Sequence, residues 1–455
     1  GKKRKLLGFM GKDTRPQRII EEAAAAKLLR AASCSAQLGE VMTDFWFNHF
    51  NVDARKGPLK WLFAPYEREA IRPRALGRFR DLLGAVAHSP AMLLYLDNAS
   101  STVDARYAPE DMQDDIERME ERMAEKGGKR AKLGLNENYA RELLELHTVG
   151  VDGGYSQKDV TELARVLTGW SVTRPTERKR EEVPRPMTGG RPTERKREGG
   201  FGFQFRPRMH DPGPKTLLGR EFAGRGQEEG ERALDLLAAH PSTARFIALK
   251  LCRRFVADDP PPELVERVAG RFLASDGDVR QVLREVFRSP EFRSEAAFRA
   301  KVKTPFEYAV SLLRATGAEL RDPLQAAKAL VRLGQPPYLC EPPTGWPDRA
   351  DAWVSAGGLL ERLRAAAVVA RGGPKAPVAA DPSVVAPPHK DAAALLDALL
   401  AGLLGGEVSE RTRRTLERKL EDPDVTRAYF DDRPRPPNPR LIAALVLGSP
   451  EFQRR

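Results

Sequence analysis

The stretch DFWFNHFNVD, residues 44–53, places Phe45, Trp46, Phe47 and Phe50 around nearly the whole circumference of a helix. A helix that is apolar all round is buried. Further helices must therefore enclose it. The same stretch carries Asp44, Asn48 and Asn51 at i, i+4 and i+7, with His49 adjacent. Buried amides and carboxylates need polar partners. One short segment thus predicts a helical core and a polar wall inside it.

Helical spacing of Leu, Val, Phe and Ala recurs outward from this segment. It covers Arg18–Ala32, Gln37–Phe50, Tyr66–Leu94, Gly230–Val256, Glu263–Leu273, Asp278–Phe287, Pro305–Thr316 and Leu360–Ala370. Ser89-Pro90 interrupts the third, where proline can open a new helix. Ser156 and Asp159 form a capping-box pair before another. Only 201–222 looks different. Phe201–Phe205 alternates, His210-Asp-Pro-Gly-Pro-Lys215 is strong turn chemistry, and Thr216–Phe222 follows, which predicts a β-hairpin. The expectation is a mainly α, multi-helix globular fold with a small β-hairpin insertion.

The organisation expected is a main helical domain over 1–371, a Pro/Ala/Gly linker over 372–390 and a helical C-terminal extension over 391–455, packed back on the main domain. Two charged excursions interrupt the domain, at 110–132 and 174–200. The second contains RPTERKRE twice, at Arg174–Glu181 and Arg191–Glu198. A short, charged, perfect repeat cannot bury a face and reads as a disordered surface insertion.

The formal charge is +12, but it is unevenly placed. Residues 174–198 hold nine Lys/Arg and five Glu, and the first five residues are almost all basic. Only +4 remains for the rest of the chain. No basic stripe interleaved with aromatics occurs, so specific nucleic-acid binding is not expected. No run is long and apolar enough to span a bilayer. Cys34, Cys252 and Cys340 are far apart and lack CxxC spacing. Metalloprotease HExxH, Walker, dinucleotide-fingerprint and GxSxG signatures are absent.

Candidate chemistry gathers in four places. In NENYARELLELHTVG, Asn136–Gly150, residues Asn138, Arg141, Glu142 and Glu145 share an arc of roughly 100°. Periodicity alone reads that arc as an exposed face with an Arg141–Glu145 pair. The buried stripe at Asp44, Asn48 and Asn51 needs partners, and it turns the expectation inward, towards Asn48, His49 and His210. His210 and Asp211 sit at the predicted turn, with Lys215 behind. PPTGWPD, Pro342–Asp348, presents Trp346 on a rigid loop. Glu142, Glu145, Arg141 and His210 are the expected catalytic residues. Asn48, Asn51, Asn138, Asp211, Lys215 and Trp346 are the expected ligand contacts. His49, His210 and Glu142 are the expected ligands of a divalent metal, with zinc, manganese and iron suited to that donor set. Glu142 and Glu145 as a glycosidase pair fit poorly, because i, i+3 carboxylates point the same way.

MTDFWFNHFNV, YEREAIRPRALGRFRDLLGAVAHSPAMLLYLDN, LNENYARELLELHTVGVDGGYSQKDVTELARVLTGW, HDPGPKTLLG, HPSTARFIALKLCRRFVADDPP and PTGWPD together resemble a bacterial family known as domain of unknown function 1800. The resemblance covers roughly 28–363. It implies a mostly helical fold and an exported or envelope-associated protein, since members often carry an upstream export signal. The chain starts at Gly1, as expected if an upstream segment was removed; otherwise a cytoplasmic location is expected. The resemblance also implies a partnership with a sulfatase-like protein. Two functions are therefore expected. One is an enzyme-like or ligand-binding protein with a buried polar, metal-dependent site of hydrolase type. The other is a non-catalytic scaffold or secretion partner whose polar motifs form a structural network.

Overall fold

The computed structural model describes residues 16–104, 134–173, 200–373, 376–380, 385–387, 391–421 and 437–455, with single positions 114, 118 and 389. Among the described residues there are seventeen α-helices and three antiparallel two-stranded sheets. The fold is mainly α with small hairpins, as the helical spacing predicts. The excursions at 110–132 and 174–200 lie outside the described residues, apart from 114, 118 and 200, as do the basic first residues. No helix among the described residues is long and apolar enough to cross a membrane.

The chain divides into two compact units, 1–79 with 244–455, and 80–243. In the first unit, 391–455 packs back on the helices that precede it. Leu312 from the Pro305–Ala315 helix and Ala366 from Ala356–Arg371 share one apolar cluster with Leu395, Leu399, Ile442 and Val446. Pro305 opens its helix at the first turn, and Thr304 and Glu307 close a capping box before it. The segment expected as a linker also contributes to this core. Val378–Ala379 pairs with Glu319–Leu320, and Val378, Ala380 and Ala386 are buried. Small apolar side chains cover a core here, although their composition alone reads as a spacer.

Within the first unit, Gln37–His49 forms the helix that DFWFNHFNVD predicts, and Trp46 and Phe50 are fully buried. Trp46 Nε1 donates to the Ala75 carbonyl at 2.9 Å, which satisfies its one donor. The long pattern at 66–94 is more broken than its spacing suggests. A π-helical turn at Tyr66–Ile71 and a 3-10 turn at Arg72–Arg74 precede the next helix, Phe79–Ala87.

In the second unit, Ser89 caps the Pro90–Tyr95 helix, and Ser156 with Asp159 closes the capping box of Gln157–Val166. The hairpin expectation needs correction. Gly202–Phe205 pairs with Trp170–Thr173, and Lys215–Leu217 pairs with Arg220–Phe222. The second pair turns at Leu218-Gly219, both with positive φ, at 47° and 74°. Two left-handed residues in a two-residue loop match the twist of a tight hairpin, so the strand folds back locally.

Candidate functional site

The expected site residues fall into both units. In the first, the polar stripe on Gln37–His49 finds its partners on the 338–348 segment and on Lys27. Asn48 Nδ2 donates to the Trp346 carbonyl at 2.8 Å, and Asn48 Oδ1 accepts from the Trp346 amide at 2.7 Å. Asn51 Nδ2 donates to the carbonyls of Cys340 at 2.9 Å and Pro342 at 2.8 Å. Asp44 pairs with Lys27 at 2.6 Å. The amides of Asn48 and Asn51 are therefore satisfied by backbone. Backbone groups of an irregular loop need partners of their own, and a side-chain amide offers both a donor and an acceptor. Gly345 permits the close approach. Its φ is +73°, and a Cβ there would lie 2.2 Å from the Asn48 carbonyl oxygen.

This lock forms one wall of a cavity of about 290 Å³. Asn48, His49, Asn51 and Trp346 all line it, so the structure brings these four expected residues together. His49 is buried among rings, stacked against Phe45 and edge-on to Trp46 and Phe50. The Pro241–Phe255 helix contributes Lys250, Arg253 and Arg254 to the lining. Sequence reasoning missed these three, together with Lys27, Tyr338 and Asp348. The available signal was Lys250, a lysine inside the apolar run Phe246–Cys252.

The lining carries five cations, Lys27, Lys250, Arg253, Arg254 and Arg349, against two carboxylates, Asp44 and Asp348. Three of the cations are paired. Lys27 meets Asp44, Arg254 meets Glu307 at 2.7 Å, and Arg349 meets Asp259 at 2.7 Å. Glu307 is held at about 2, with Arg254 and Arg455 outweighing the cost of its desolvation. Arg253 donates Nε to the Asp258 carbonyl at 2.9 Å and has no carboxylate partner among the described residues. Lys250 has neither a hydrogen bond nor an ion pair there; its Nζ lies 5.4 Å from the Phe246 ring centroid. Desolvation lowers the Lys250 ammonium to about 8, opposed by Asp348 and assisted by Arg253. Tyr338, also lining the cavity, holds a left-handed backbone at φ 66°, and its hydroxyl donates to Glu67 at 2.7 Å. Strained residues of this kind persist where their surroundings fix them.

The second unit holds the other candidates. Its Asn138–Glu142 helix continues into a π-helical turn, Leu143–His147, a local irregularity the sequence did not signal. Asn138 is exposed, and its Nδ2 donates to the Leu96 carbonyl at 3.3 Å. Arg141 reaches Glu137 at 3.4 Å, Glu145 at 3.7 Å and Gln157 at 2.9 Å. Glu142 and Glu145 are half-buried. Desolvation and then the Glu145 carboxylate raise Glu142, with Arg141 opposing. The arc is thus a partly exposed face carrying the i, i+4 pair.

His210, Asp211 and Lys215 are buried and tightly bonded. Asp211 takes a two-pronged contact from Arg165 at 2.7 and 3.2 Å. Lys215 Nζ donates to Glu229 at 2.6 Å and to the Asp211 carbonyl. His210 Nε2 lies 3.3 Å from the same Glu229 oxygen, and its Nδ1 faces the Thr168 carbonyl at 2.9 Å. Glu229 is held at about 2. Its desolvation opposes this, and hydrogen bonds from His210 and Lys215 prevail. Glu229 was not singled out in the sequence, because QEEGERA reads as an ordinary helix start. Of the expected metal ligands, His49 lies in the first unit and His210 and Glu142 lie in the second. Among the described residues no group of three or more His, Cys, Asp or Glu could hold a metal ion.

A family model described as "Protein of unknown function (DUF1800)" matches residues 7–454 of this chain. No curated protein and no solved structure matches it.

Proposed function

On the premise that the chain belongs to the DUF1800 family across residues 7–454, we propose that it is an enzyme-like ligand-binding protein whose site is the Asn48–Trp346–Lys250 cavity. The ligand is a small molecule bearing an anionic group. The observation that carries this reading is the excess of cations in the lining, with Lys250 and Arg253 left without carboxylate partners. An uncompensated ammonium in a partly dry cavity is costly, and an anion from outside removes that cost. Asn48 and Asn51 hold the Trp346 loop, so that wall is preformed.

The test is a titration of the protein with sulfate, phosphate and oxalate, followed by tryptophan fluorescence and calorimetry. Saturable binding that weakens in Lys250→Met and Arg253→Met is expected. Equal binding by the wild type and both variants, or no binding at all, sinks the proposal. A specific observation favours a second reading for residues 80–243. There His210, Asp211, Lys215 and Glu229 form a bonded buried network, as a non-catalytic scaffold of a sulfatase-like partner would have. Co-purification of the full chain with such a protein, retained when Lys250 is replaced, would favour it.

A further inference from the structure

We infer that Lys250 is a covalent site: its amine condenses with the carbonyl carbon of a small anionic aldehyde or keto acid held in the cavity. This inference rests on the cavity reading above and adds a chemical class to it. The geometry is the first support. Lys250 lines the cavity, and among the described residues no hydrogen bond or carboxylate engages its Nζ. Its ammonium lies over the face of Phe246. A lysine committed to an ion pair must stay protonated, whereas this one is free to lose its proton. Its pKa, lowered by desolvation to about 8, leaves a useful share of neutral amine near neutral pH.

The neighbours fit the rest of the reaction. Arg253, one helical turn further on, has guanidinium nitrogens free to hold a carboxylate next to the reacting carbonyl. Asp348 lines the same cavity and acts on Lys250 electrostatically. The amine nitrogen forms a bond to the carbonyl carbon, and the π electrons move to oxygen. Asp348 takes a proton from nitrogen and delivers it to that oxygen. The carbinolamine then loses its oxygen as water, with the second nitrogen proton, to give the imine. One carbonyl and one amine become one imine and one water, and no oxidant or reductant is consumed.

The protein carries its own control. Lys303 is also lowered to about 8, but its Nζ donates to the Phe452 carbonyl at 2.6 Å and sits over the Phe452 ring. A shifted acidity alone would make both lysines react alike. The experiment incubates the whole protein with glyoxylate and cyanoborohydride, then maps the reduced adducts by peptide mass spectrometry. Expected is modification of Lys250 several-fold faster than of Lys303, slowed by added sulfate. Sulfate binding to the cavity with Lys250 trapped no faster than Lys303 overturns the covalent inference and leaves the cavity reading standing. Loss of both sulfate binding and selective trapping overturns both.

Discussion

At the scale of single residues, the clearest signature is a charge kept where it costs stability. Lys250 has a folded-state value near 8 and an unfolded value near 10.5. Below pH 8 both states are protonated, and the full cost of desolvating the ammonium is present. Between 8 and 10.5 the unfolded state binds more protons, so the contribution of this group to stability rises with pH. Lys250→Met should therefore stabilise the protein by roughly 1–3 kcal/mol at pH 7, with the gain vanishing near pH 10.5. Urea unfolding at pH 7 and pH 10 measures this; a loss of stability at pH 7 would mean the ammonium is paired after all. Glu229 behaves in the opposite way. Its folded value is depressed to about 2, so its stabilisation is complete above 4.5 and is lost as pH falls towards 2. Glu229→Gln should flatten acid unfolding in that window. It should also cost about 3–5 kcal/mol at neutral pH, because Lys215 is left buried without its carboxylate. Acid titrations of wild type and variant followed by circular dichroism decide this, and matching acid midpoints would remove Glu229 as the source.

At the scale of elements, the lock between the Gln37–His49 helix and the Trp346 loop is the part that makes a site. Asn48→Ala deletes two hydrogen bonds and strands one amide and one carbonyl of the loop. A loss of roughly 2–3 kcal/mol is expected, with a shifted Trp346 emission and weaker anion binding. Unchanged emission and affinity would show that the loop holds its place without Asn48. How far the sequence revealed these elements follows from how local their causes are. Ser156–Asp159 and Ser89-Pro90 were legible because capping is settled within a few residues. The burial of DFWFNHFNVD was legible because its aromatics surround the axis. The need of Asn48 and Asn51 for partners was legible too, but their partners lie near residue 340, and no local pattern points there. A stripe that needs partners does not say whether backbone or side chains supply them. Lys250 escaped notice because helical spacing marks Phe246–Cys252 as core without showing that a cavity opens beside its one lysine.

At the scale of the whole molecule, the core of the first unit draws on segments far apart in the chain. The Pro/Ala/Gly stretch suggested a spacer, yet Leu395, Leu399, Ile442 and Val446 complete the core around Leu312 and Ala366. Removing 391–455 should therefore abolish cooperative unfolding of the remaining first unit, not trim an accessory. The repeat-bearing insertion is the opposite case. Thr173 and Gly202 are the last register pair of the Trp170–Thr173 and Gly202–Phe205 strands, and the Gly202 amide donates to Thr173 Oγ1 at 2.9 Å. The two ends of the intervening segment are thus held together by a hairpin whose other end packs through Trp170, fully buried. A loop that leaves and re-enters at neighbouring positions adds little to folding beyond its closure entropy, which grows slowly with length. Replacing 174–199 by a short Gly/Ser turn should shift stability by no more than about 1 kcal/mol, the range of ordinary surface changes. It should also remove much of the excess positive charge and leave anion binding at the Lys250 cavity unchanged. Thermal unfolding and sulfate titration of the shortened chain test both expectations. A large drop in midpoint would mean that the insertion packs on the unit, and a loss of sulfate binding would mean that its arginines, not Lys250 and Arg253, capture the anion.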